Sequence, residues 1–257
     1  MAELIKLTAE QVYDWLLNVD RIKTVEGQIR FFLGDVSIIV RQKDVVGNII
    51  QEWLEGWFRK NNIAFAPNTN TQMPPDIFLN PDNRTEDLLE VKAFNYAASP
   101  GFDIADFRAY ASEIIENPYM LHTKYLIFGY SMSDEGVVTI RDLWLKNVWE
   151  ICRSMDGWAL NVLYKNKVIH KIRPAKWFGS RSKFPMFATL EDYLSAIEET
   201  LFSYPDTHEL SKGWRKKIIA AYKSFYGKTI SIPRWDDLAD TYQPPVKKQD
   251  RNKNLKA

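Results

Sequence analysis

The amino-acid sequence predicts an α/β protein in which helices pack against a mixed β-sheet. Three observations carry this prediction. Apolar residues recur with a period near 3.6 over 45–60, which indicates a helix. The short apolar runs 76–79 and 88–93 flank a polar turn and indicate a β-hairpin. A helical pattern over 103–116 is followed by the apolar run 125–128, which indicates a buried strand.

The N-terminal region predicts a short helix and a second hairpin. Thr8 and Gln11 have the spacing of a capping box, and an amphipathic pattern follows them. Alternating apolar residues flank Gly34-Asp35, which is typical of two strands joined by a tight turn. Glu52 lies on the helix that comes next, so this helix carries an acid ahead of the 76–93 hairpin.

Further elements are predicted towards the C-terminus. Asp103 is suited to cap the 103–116 helix, and the bases around Asn166 lie at the turn of a basic hairpin. The last 14 residues carry five bases and almost no apolar side chains, so 244–257 is expected to be disordered. The other predicted elements are a strand over 136–145, a helix over 189–202 and a helix over 211–226 that ends at Gly227.

Composition sets the class of protein. With 257 residues, 46% of them hydrophobic, and no internal repeat, we expect a single globular domain over 1–243, with a core at about 45–150 and a basic region at about 157–235. The single cysteine, Cys152, cannot form an internal disulfide. No signal peptide and no membrane-spanning apolar run is visible, so we expect a cytoplasmic protein that does not enter a membrane.

Charge is distributed unevenly although the formal net charge is only +1. Between residues 76 and 116 there are nine acids and three bases, whereas 157–190 contains seven bases and no acid. A second stretch, 210–235, also holds seven bases and no acid. Such segregation is typical of a protein that binds cations at one place and phosphates at another.

Asp76, Glu90 and Lys92 have a spacing that indicates chemistry. Side chains two residues apart on a strand project from the same face, so Glu90 and Lys92 point together. The partner strand of the hairpin can bring Asp76 alongside them. Neighbouring carboxylates repel each other unless a cation neutralises them, and Mg²⁺ accepts oxygen ligands of this kind from Asp76, Glu90 and the Val91 carbonyl.

A Mg²⁺ ion at this place can acidify an attacking water and offset charge that grows on a phosphodiester. Lys92 can position that water, lower its pKa and stabilise the transition state. The predicted chemistry is therefore phosphodiester hydrolysis at Asp76, Glu90 and Lys92, and Glu52 is a candidate for a further carboxylate.

These residues resemble the motif of the PD-(D/E)xK nuclease superfamily, read here as Pro75-Asp76, thirteen intervening residues, and Glu90-Val91-Lys92. The resemblance implies a restriction-endonuclease-like αβββαβ core with added helices and a basic C-terminal region. It also implies metal-dependent DNA cleavage with Asp76 and Glu90 as ligands, Lys92 as the catalytic lysine, and Glu52 in the place of the helical acid of many members.

The stretch 48–130, which contains Gln72-Met73-Pro74-Pro75-Asp76 and Leu89-Glu90-Val91-Lys92-Ala93-Phe94-Asn95, looks like a bacterial type II restriction endonuclease. It is similar to the group typified by NgoBV and NlaIV. That similarity implies cleavage of double-stranded DNA at a palindrome of GGNNCC type. It also implies a homodimer, because a palindrome is matched by two-fold protein symmetry.

Candidate DNA-binding residues lie in three segments. Amide side chains in the loop before Asp76 can contact base edges, and polar residues directly after the 88–93 strand lie close to the same place. Bases of the 157–190 stretch are candidates for phosphate contacts. The set is Asn70, Gln72, Asn95, Tyr96, Arg173, Lys176, Arg181 and Lys183.

Two alternatives stay open from the residues alone. The same active site occurs in repair or structure-selective nucleases, which would give a smear or branch-dependent nicks where a restriction enzyme gives discrete bands. The second alternative is a non-catalytic DNA-binding or interaction module, in which Asp76 and Glu90 bind no divalent metal.

Overall fold

The computed structural model describes residues 4–70, 73–179 and 182–243. In this part of the chain there are two compact units: one contains the residues up to Val148 and Lys171–Pro174, and the other contains Trp149–His170 and the chain from Ala175 onward. The division at Val148 lies close to the predicted end of the catalytic core at about 150. The single-domain assignment stays a prediction, and Gln72, Arg181 and the predicted tail 244–257 lie outside the described residues.

The first unit contains an N-terminal helix, a small hairpin, and a larger sheet with helices. The capping box is present, since Thr8 and the Gln11 side chain each accept the other's backbone N–H. The elements are α1 (Ala9–Asp14), continued by a π-helical turn (Trp15–Val19), a 3₁₀ turn (Ile22–Thr24), β1 (Glu26–Gln28), β2 (Arg30–Leu33), β3 (Val36–Ile39), α2 (Val46–Lys60), β4 (Ala66–Pro67), β5 (Ile77–Phe78), β6 (Leu88–Asn95), β7 (Ala105–Asp106), α3 (Phe107–Glu116), a 3₁₀ turn (Pro118–His122), β8 (Lys124–Met132) and β9 (Val137–Asn147).

Six strands in the described residues form one mixed sheet in the order β1-β9-β8-β6-β5-β4. Strands β6 and β8 run parallel, with Glu90 opposite Tyr125, and the other neighbours run antiparallel. A parallel pair needs a crossover connection, and α3 lies in the segment that joins β6 to β8. The sequence therefore dictates a mixed sheet through one hairpin and one helical crossover.

An apolar cluster that includes α2 lies on one face of this sheet. Leu54 and Phe58 of α2 are fully buried in the same cluster as Leu89 and Val91 of β6. Because successive residues of a strand alternate between faces, this places Glu90 and Lys92 on the opposite face. Burial of the odd-numbered residues of β6 thus fixes the direction in which its even-numbered residues point.

The start of α3 corrects one prediction. Asp106, not Asp103, caps this helix, because its carboxylate accepts the Ala109 N–H at 3.0 Å and α3 begins at Phe107. Asp103 instead contacts the guanidinium of Arg173, which is distant in the sequence. A capping pattern read from sequence could not see this partner.

The second unit contains a hairpin and a group of helices. Strands β10 (Val162–Lys165) and β11 (Val168–Ile172) are neighbours, and Asn166 and Lys167 both have left-handed backbone angles, as a tight hairpin turn requires. The last two residues of β11 belong to the first unit. The remaining elements are two 3₁₀ turns (Trp149–Ile151 and Pro205–Thr207), α4 (Leu190–Ser203), α5 (His208–Ser211), α6 (Trp214–Tyr226), which Gly227 ends, and α7 (Trp235–Tyr242).

Helices in the described ranges are too short or too polar to cross a lipid bilayer.

Candidate active site

Asp76 is brought to β6 by the β5–β6 hairpin. Ile77 lies opposite Leu89, so the next position along this register sets Asp76 beside Glu90. The Asp76 carboxylate accepts a hydrogen bond from the Val91 N–H at 2.8 Å. Asn68 holds the incoming loop, since its side-chain amide donates to the Pro75 carbonyl and its N–H donates to the Asp76 carbonyl, both at 2.8 Å. Three backbone-directed bonds therefore fix the position of Asp76.

Glu90 and Lys92 form a close ion pair on the polar face of β6. The Lys92 Nζ lies 2.6 Å from Glu90 Oε1, and the two side chains are only 20% and 4% exposed. Sequence spacing predicted that Asp76, Glu90 and Lys92 would meet, and the structure brings the three together.

Burial and mutual repulsion shift the pKa values of this group. Burial raises the pKa of Glu90 to about 7; Lys92 opposes this rise, and the Asp76 charge adds to it. Burial also raises the pKa of Asp76, against the pull of Lys92 and the Val91 N–H. The pKa of Lys92 is raised too, because the Glu90 and Asp76 carboxylates outweigh its burial. Lys92 is therefore a stable ammonium at neutral pH.

One carboxylate oxygen of Glu90 is not satisfied by the described part of the chain. Its Oε2 is buried and, among the described residues, has no hydrogen-bond partner. A buried carboxylate oxygen without a donor is costly, so such an atom usually has a ligand or water to satisfy it. The group faces a polar cavity of about 160 Å³, lined by Met73, Pro74, Asp76, Glu90, Lys92, Asp103, Ile104, Ala105, Asp106 and Lys171.

Glu52 does not join this group. It is exposed on α2 and is not among the described residues that line the cavity. The buried acid of α2 is Glu55, which accepts a hydrogen bond from Arg59 at 2.7 Å. The geometry gives no support to the predicted role of Glu52, and we do not propose it.

Three residues of the cavity were missed by sequence reasoning: Asp103, Asp106 and Lys171. The two acids precede α3, where a capping role was the simpler interpretation. Lys171 lies 3.8 Å from Asp106 and flanks the buried Ile172. The sequence Lys171-Ile172-Arg173, in which two bases flank one buried apolar residue, is the pattern that could have indicated Lys171.

The predicted base-reading residues have local partners. The Asn70 N–H donates to the Asn68 side chain at 3.0 Å, and the side chain of Asn95 accepts the Ala97 N–H at 3.1 Å. The ring of Tyr96 stacks on Trp144 at 6.2 Å and is 36% exposed. These contacts hold the three side chains in defined positions.

The predicted phosphate-binding residues are also paired. Arg173 contacts Asp103, which faces the active-site cavity. Lys176 lies over the Phe178 ring at 5.2 Å and is exposed. Lys183 lies 2.9 Å from Asp156 and is also exposed. Exposed pairs of this kind break at little cost, so both lysines are able to exchange their partner for a phosphate.

A mixed sheet that sets an aspartate, a glutamate and a lysine together at a hairpin is the arrangement of the PD-(D/E)xK nucleases. Comparison with known proteins also indicates a nuclease, and it identifies one family of restriction endonucleases. The family model "NgoBV restriction endonuclease" matches residues 6–242. The chain belongs to the NgoBV restriction endonuclease family.

The relatives are type II restriction enzymes. The chain is 60% identical to type II restriction enzyme NlaIV of Neisseria lactamica over 241 residues, which cover 93% of this chain and 99% of that protein. It is 59% identical to type II restriction enzyme NgoBV of Neisseria gonorrhoeae over 177 residues, 69% of this chain and 99% of the relative. The predicted identification as a type II restriction endonuclease is confirmed, and enzymes of this class use a divalent metal ion.

A solved structure, titled NlaIV restriction endonuclease, matches with a TM-score of 0.92 and 59% identity. The match covers 95% of this chain and 99% of the other. The predicted restriction-endonuclease-like fold class is therefore confirmed.

Proposed function

We propose that this enzyme cuts double-stranded DNA by Mg²⁺-dependent hydrolysis, with Asp76 and Glu90 as metal ligands and Lys92 as the catalytic lysine. The observation that carries the proposal is the Glu90 carboxylate, buried beside Asp76 with one oxygen unsatisfied by the described residues and the other held by Lys92. Membership of a restriction endonuclease family supplies the reaction class.

The residues of the cavity fit a hard divalent cation. Two carboxylates with raised pKa values repel each other at neutral pH, and a cation relieves that repulsion. No cluster of three or more Asp, Glu, His or Cys side chains in the described part of the chain could hold a metal. The ion would therefore depend on Asp76, Glu90, the Val91 carbonyl and water, and oxygen ligands of this type favour Mg²⁺.

The bound ion supplies Lewis acidity at the phosphate and lowers the pKa of a water nucleophile. Lys92 acts on the same water or phosphate as a cation, because its raised pKa keeps the Nζ protonated. The Glu90 carboxylate orients that ammonium through the 2.6 Å contact. The Val91 N–H in turn holds Asp76 so that its carboxylate stays beside Glu90. Preorganised charges of this kind stabilise the transition state without rearrangement.

Replacing the lysine tests this assignment. Lys92→Ala should leave DNA binding largely intact and abolish plasmid cleavage in Mg²⁺. A variant that cuts at the wild-type rate removes Lys92 from the mechanism. Titration calorimetry with Mg²⁺ or Mn²⁺ is the second measurement, because a protein whose metal binding does not need Asp76 and Glu90 is not a nuclease of this type.

The substrate proposed is a six-base-pair palindrome of GGNNCC type, on the basis of similarity to the NgoBV and NlaIV group. Digestion of DNA of known sequence, followed by mapping of the ends, tests the site and also gives the cut position. A smear, or nicks confined to branched DNA, would favour the structure-selective alternative. A cytoplasmic location stays a prediction.

We also propose a homodimer, and the hairpin β2–β3 is the surface that supports it. Its apolar side chains are solvent-exposed, with Phe32 at 66% and Leu33 at 72%. A contiguous exposed apolar surface marks a contact between proteins, and the single acid at its tip, Asp35, does not suit DNA phosphates. A second copy offers an equally apolar hairpin, which allows a two-fold contact.

Light scattering tests the dimer. The Phe32→Ser, Leu33→Ser double variant should have the molar mass of a monomer, whereas the wild type should have that of a dimer. Phe225→Ser, which alters an exposed aromatic residue of α6, is the matched control and should not change the mass. A wild-type protein that is monomeric at micromolar concentration contradicts the proposal.

A further inference from the structure

We propose that Lys171 is a second phosphate-binding ammonium of the active site, which contacts the DNA backbone beside the scissile phosphate. The inference rests on the proposed nuclease function and deepens it. Lys171 lines the same cavity as Asp76, Glu90 and Lys92, although it is 79 residues beyond Lys92 in the sequence.

Backbone pairing fixes Lys171 at this position. The last residues of β11 pair antiparallel with β7, with Lys171 opposite Asp106 and Ile172 opposite Ala105. The Ile104 N–H donates to the Ile172 carbonyl at 3.0 Å and extends the pairing by one step. Since Ile172 is fully buried, strand alternation directs Lys171 to the other side, where its partner Asp106 also borders the cavity.

Among the described residues, Lys92 and Lys171 line the cavity and Arg173 pairs with one of its acids; Lys171 is the least tightly paired of these three cations. Lys92 lies 2.6 Å from Glu90, and Arg173 is in close contact with Asp103, whereas Lys171 lies 3.8 Å from Asp106. Asp106 is also engaged as the cap of α3 through the Ala109 N–H. The Lys171 side chain is 35% exposed, so its ammonium can leave this carboxylate for a stronger acceptor.

The charge around the cavity explains why that acceptor is a phosphate. Four carboxylates border it, and the two lysines and Arg173 leave one negative charge in excess. A bound divalent cation would change this net charge from −1 to +1, and a net positive charge favours an anion at the same place. A phosphodiester is the anion of a DNA substrate, and a lysine ammonium on a flexible stem suits such a contact.

The closing experiment compares Lys171→Met with Lys171→Arg and with the matched control Lys124→Met. Lys124 is an equally half-exposed lysine, 32% exposed and 3.1 Å from Glu10, and does not line the cavity. DNA binding is measured against salt concentration with Ca²⁺ in place of Mg²⁺. The slope of log affinity against log salt is negative, and Lys171→Met should reduce its magnitude by about 1, the loss of one phosphate contact.

Cleavage gives the second readout. Single-turnover cleavage by Lys171→Met should fall roughly tenfold to a hundredfold, as expected for the loss of one charged hydrogen bond, and Lys171→Arg should recover most of it. Duplexes with one neutral methylphosphonate at each position near the cut locate the contact. One position should slow the wild type and leave Lys171→Met unchanged.

The outcomes separate this inference from the function on which it rests. A wild type that does not cut DNA in Mg²⁺ contradicts the proposed function, while the salt slope still reports on Lys171. A wild type that cuts, with Lys171→Met matching it in rate and salt slope, overturns the inference alone. A lower melting temperature of Lys171→Met without a change in slope also overturns it, because that result indicates a structural role beside Asp106.

Discussion

Glu55 and Glu90 are the two charged residues classed as buried in the described part of the chain, at 7% and 3% exposure. Glu55 lies on α2 and bonds to Arg59 one helical turn later, whose side chain is 61% exposed. Glu90 lies on β6, bonds to the largely buried Lys92, and has Asp76 as a like-charged neighbour. Both acids have one cationic partner.

The difference between the two lies in what surrounds the pair. Glu55 pairs with a largely exposed guanidinium, whereas Glu90 has an oxygen that no described residue satisfies and a pKa raised to about 7. Burial of a carboxylate is therefore a weak sign of function. Burial together with a second carboxylate and an unsatisfied oxygen indicates a cation site.

Cleavage activity should separate the two acids most strongly. Glu90→Gln removes one of the two carboxylates proposed to bind the metal, so Mg²⁺-dependent single-turnover cleavage should fall at least about a hundredfold. Glu55→Gln keeps the size of the side chain, and Glu55 does not line the cavity, so this variant should cut within about threefold of the wild type. Equal losses of activity in both variants would show that the unsatisfied oxygen and the neighbouring carboxylate of Glu90 do not mark it as a metal ligand.

The pH dependence of stability should differ next. The folded pKa of Glu90, about 7, exceeds its usual 4.5, so between these values the folded protein binds more protons than the unfolded chain. The contribution of Glu90 to the free energy of unfolding of metal-free protein should therefore fall as pH rises from 4.5 to 7, by at most about 3 kcal/mol, and level off above 7. Urea unfolding in EDTA measures it.

The control for that titration is Glu90→Gln, which cannot ionise and should lose most of the decline. The raised pKa of Asp76 leaves a smaller decline in the same direction. Glu55→Gln should retain the wild-type profile. A difference in the free energy of unfolding between wild type and Glu90→Gln that does not change in this direction over the pH window contradicts the assigned direction.

Metal should stabilise the protein through Glu90 and not through Glu55. An ion at one hundred times its Kd adds about 2.7 kcal/mol to the free energy of unfolding. The melting temperature of the wild type and of Glu55→Gln should rise with Mg²⁺ or Ca²⁺, measured by calorimetry. Glu90→Gln should show no such rise, and a preserved rise would place the ion elsewhere.

The smallest effect is expected at Arg59. Arg59→Met removes the exposed cation of an (i, i+4) pair and should lower the free energy of unfolding by about 0.5 kcal/mol, with cleavage unchanged. Chemical denaturation measures this loss. A loss of several kcal/mol would mean that Glu55 depends on its partner as strongly as a deeply buried acid does.

Local patterns were sufficient to predict much of the catalytic face. The period of 45–60 predicted α2 to within one residue, and alternation with a turn predicted the β5–β6 hairpin that sets Asp76 beside Glu90. Both elements are formed by residues that are close in the sequence, so hydrophobic periodicity and turn residues are enough to predict them. The same patterns do not fix the catalytic roles of Asp76, Glu90 and Lys92, which were assigned with the help of the resemblance to the PD-(D/E)xK nucleases.

Contacts between distant segments were not predictable in this way. The pairing of β11 with β7 and the ion pair of Arg173 with Asp103 join residues about 65 to 70 positions apart. The orientation of α2 was a further limit, because the helical pattern could not show that Glu52 faces solvent while Glu55 is buried. Lys171 was missed for the first of these reasons.

Strand β6 carries both core side chains and the charged side chains of the candidate active site, so the position of one set depends on the packing of the other. Leu89 and Val91 pack among the core residues, while Glu90 and Lys92, bonded to them through one backbone, face the cavity. A volume change at either apolar position shifts the strand and displaces charges that it never touches. Engineers who seek a more heat-resistant variant should therefore leave this strand alone and begin at the solvent-facing helices.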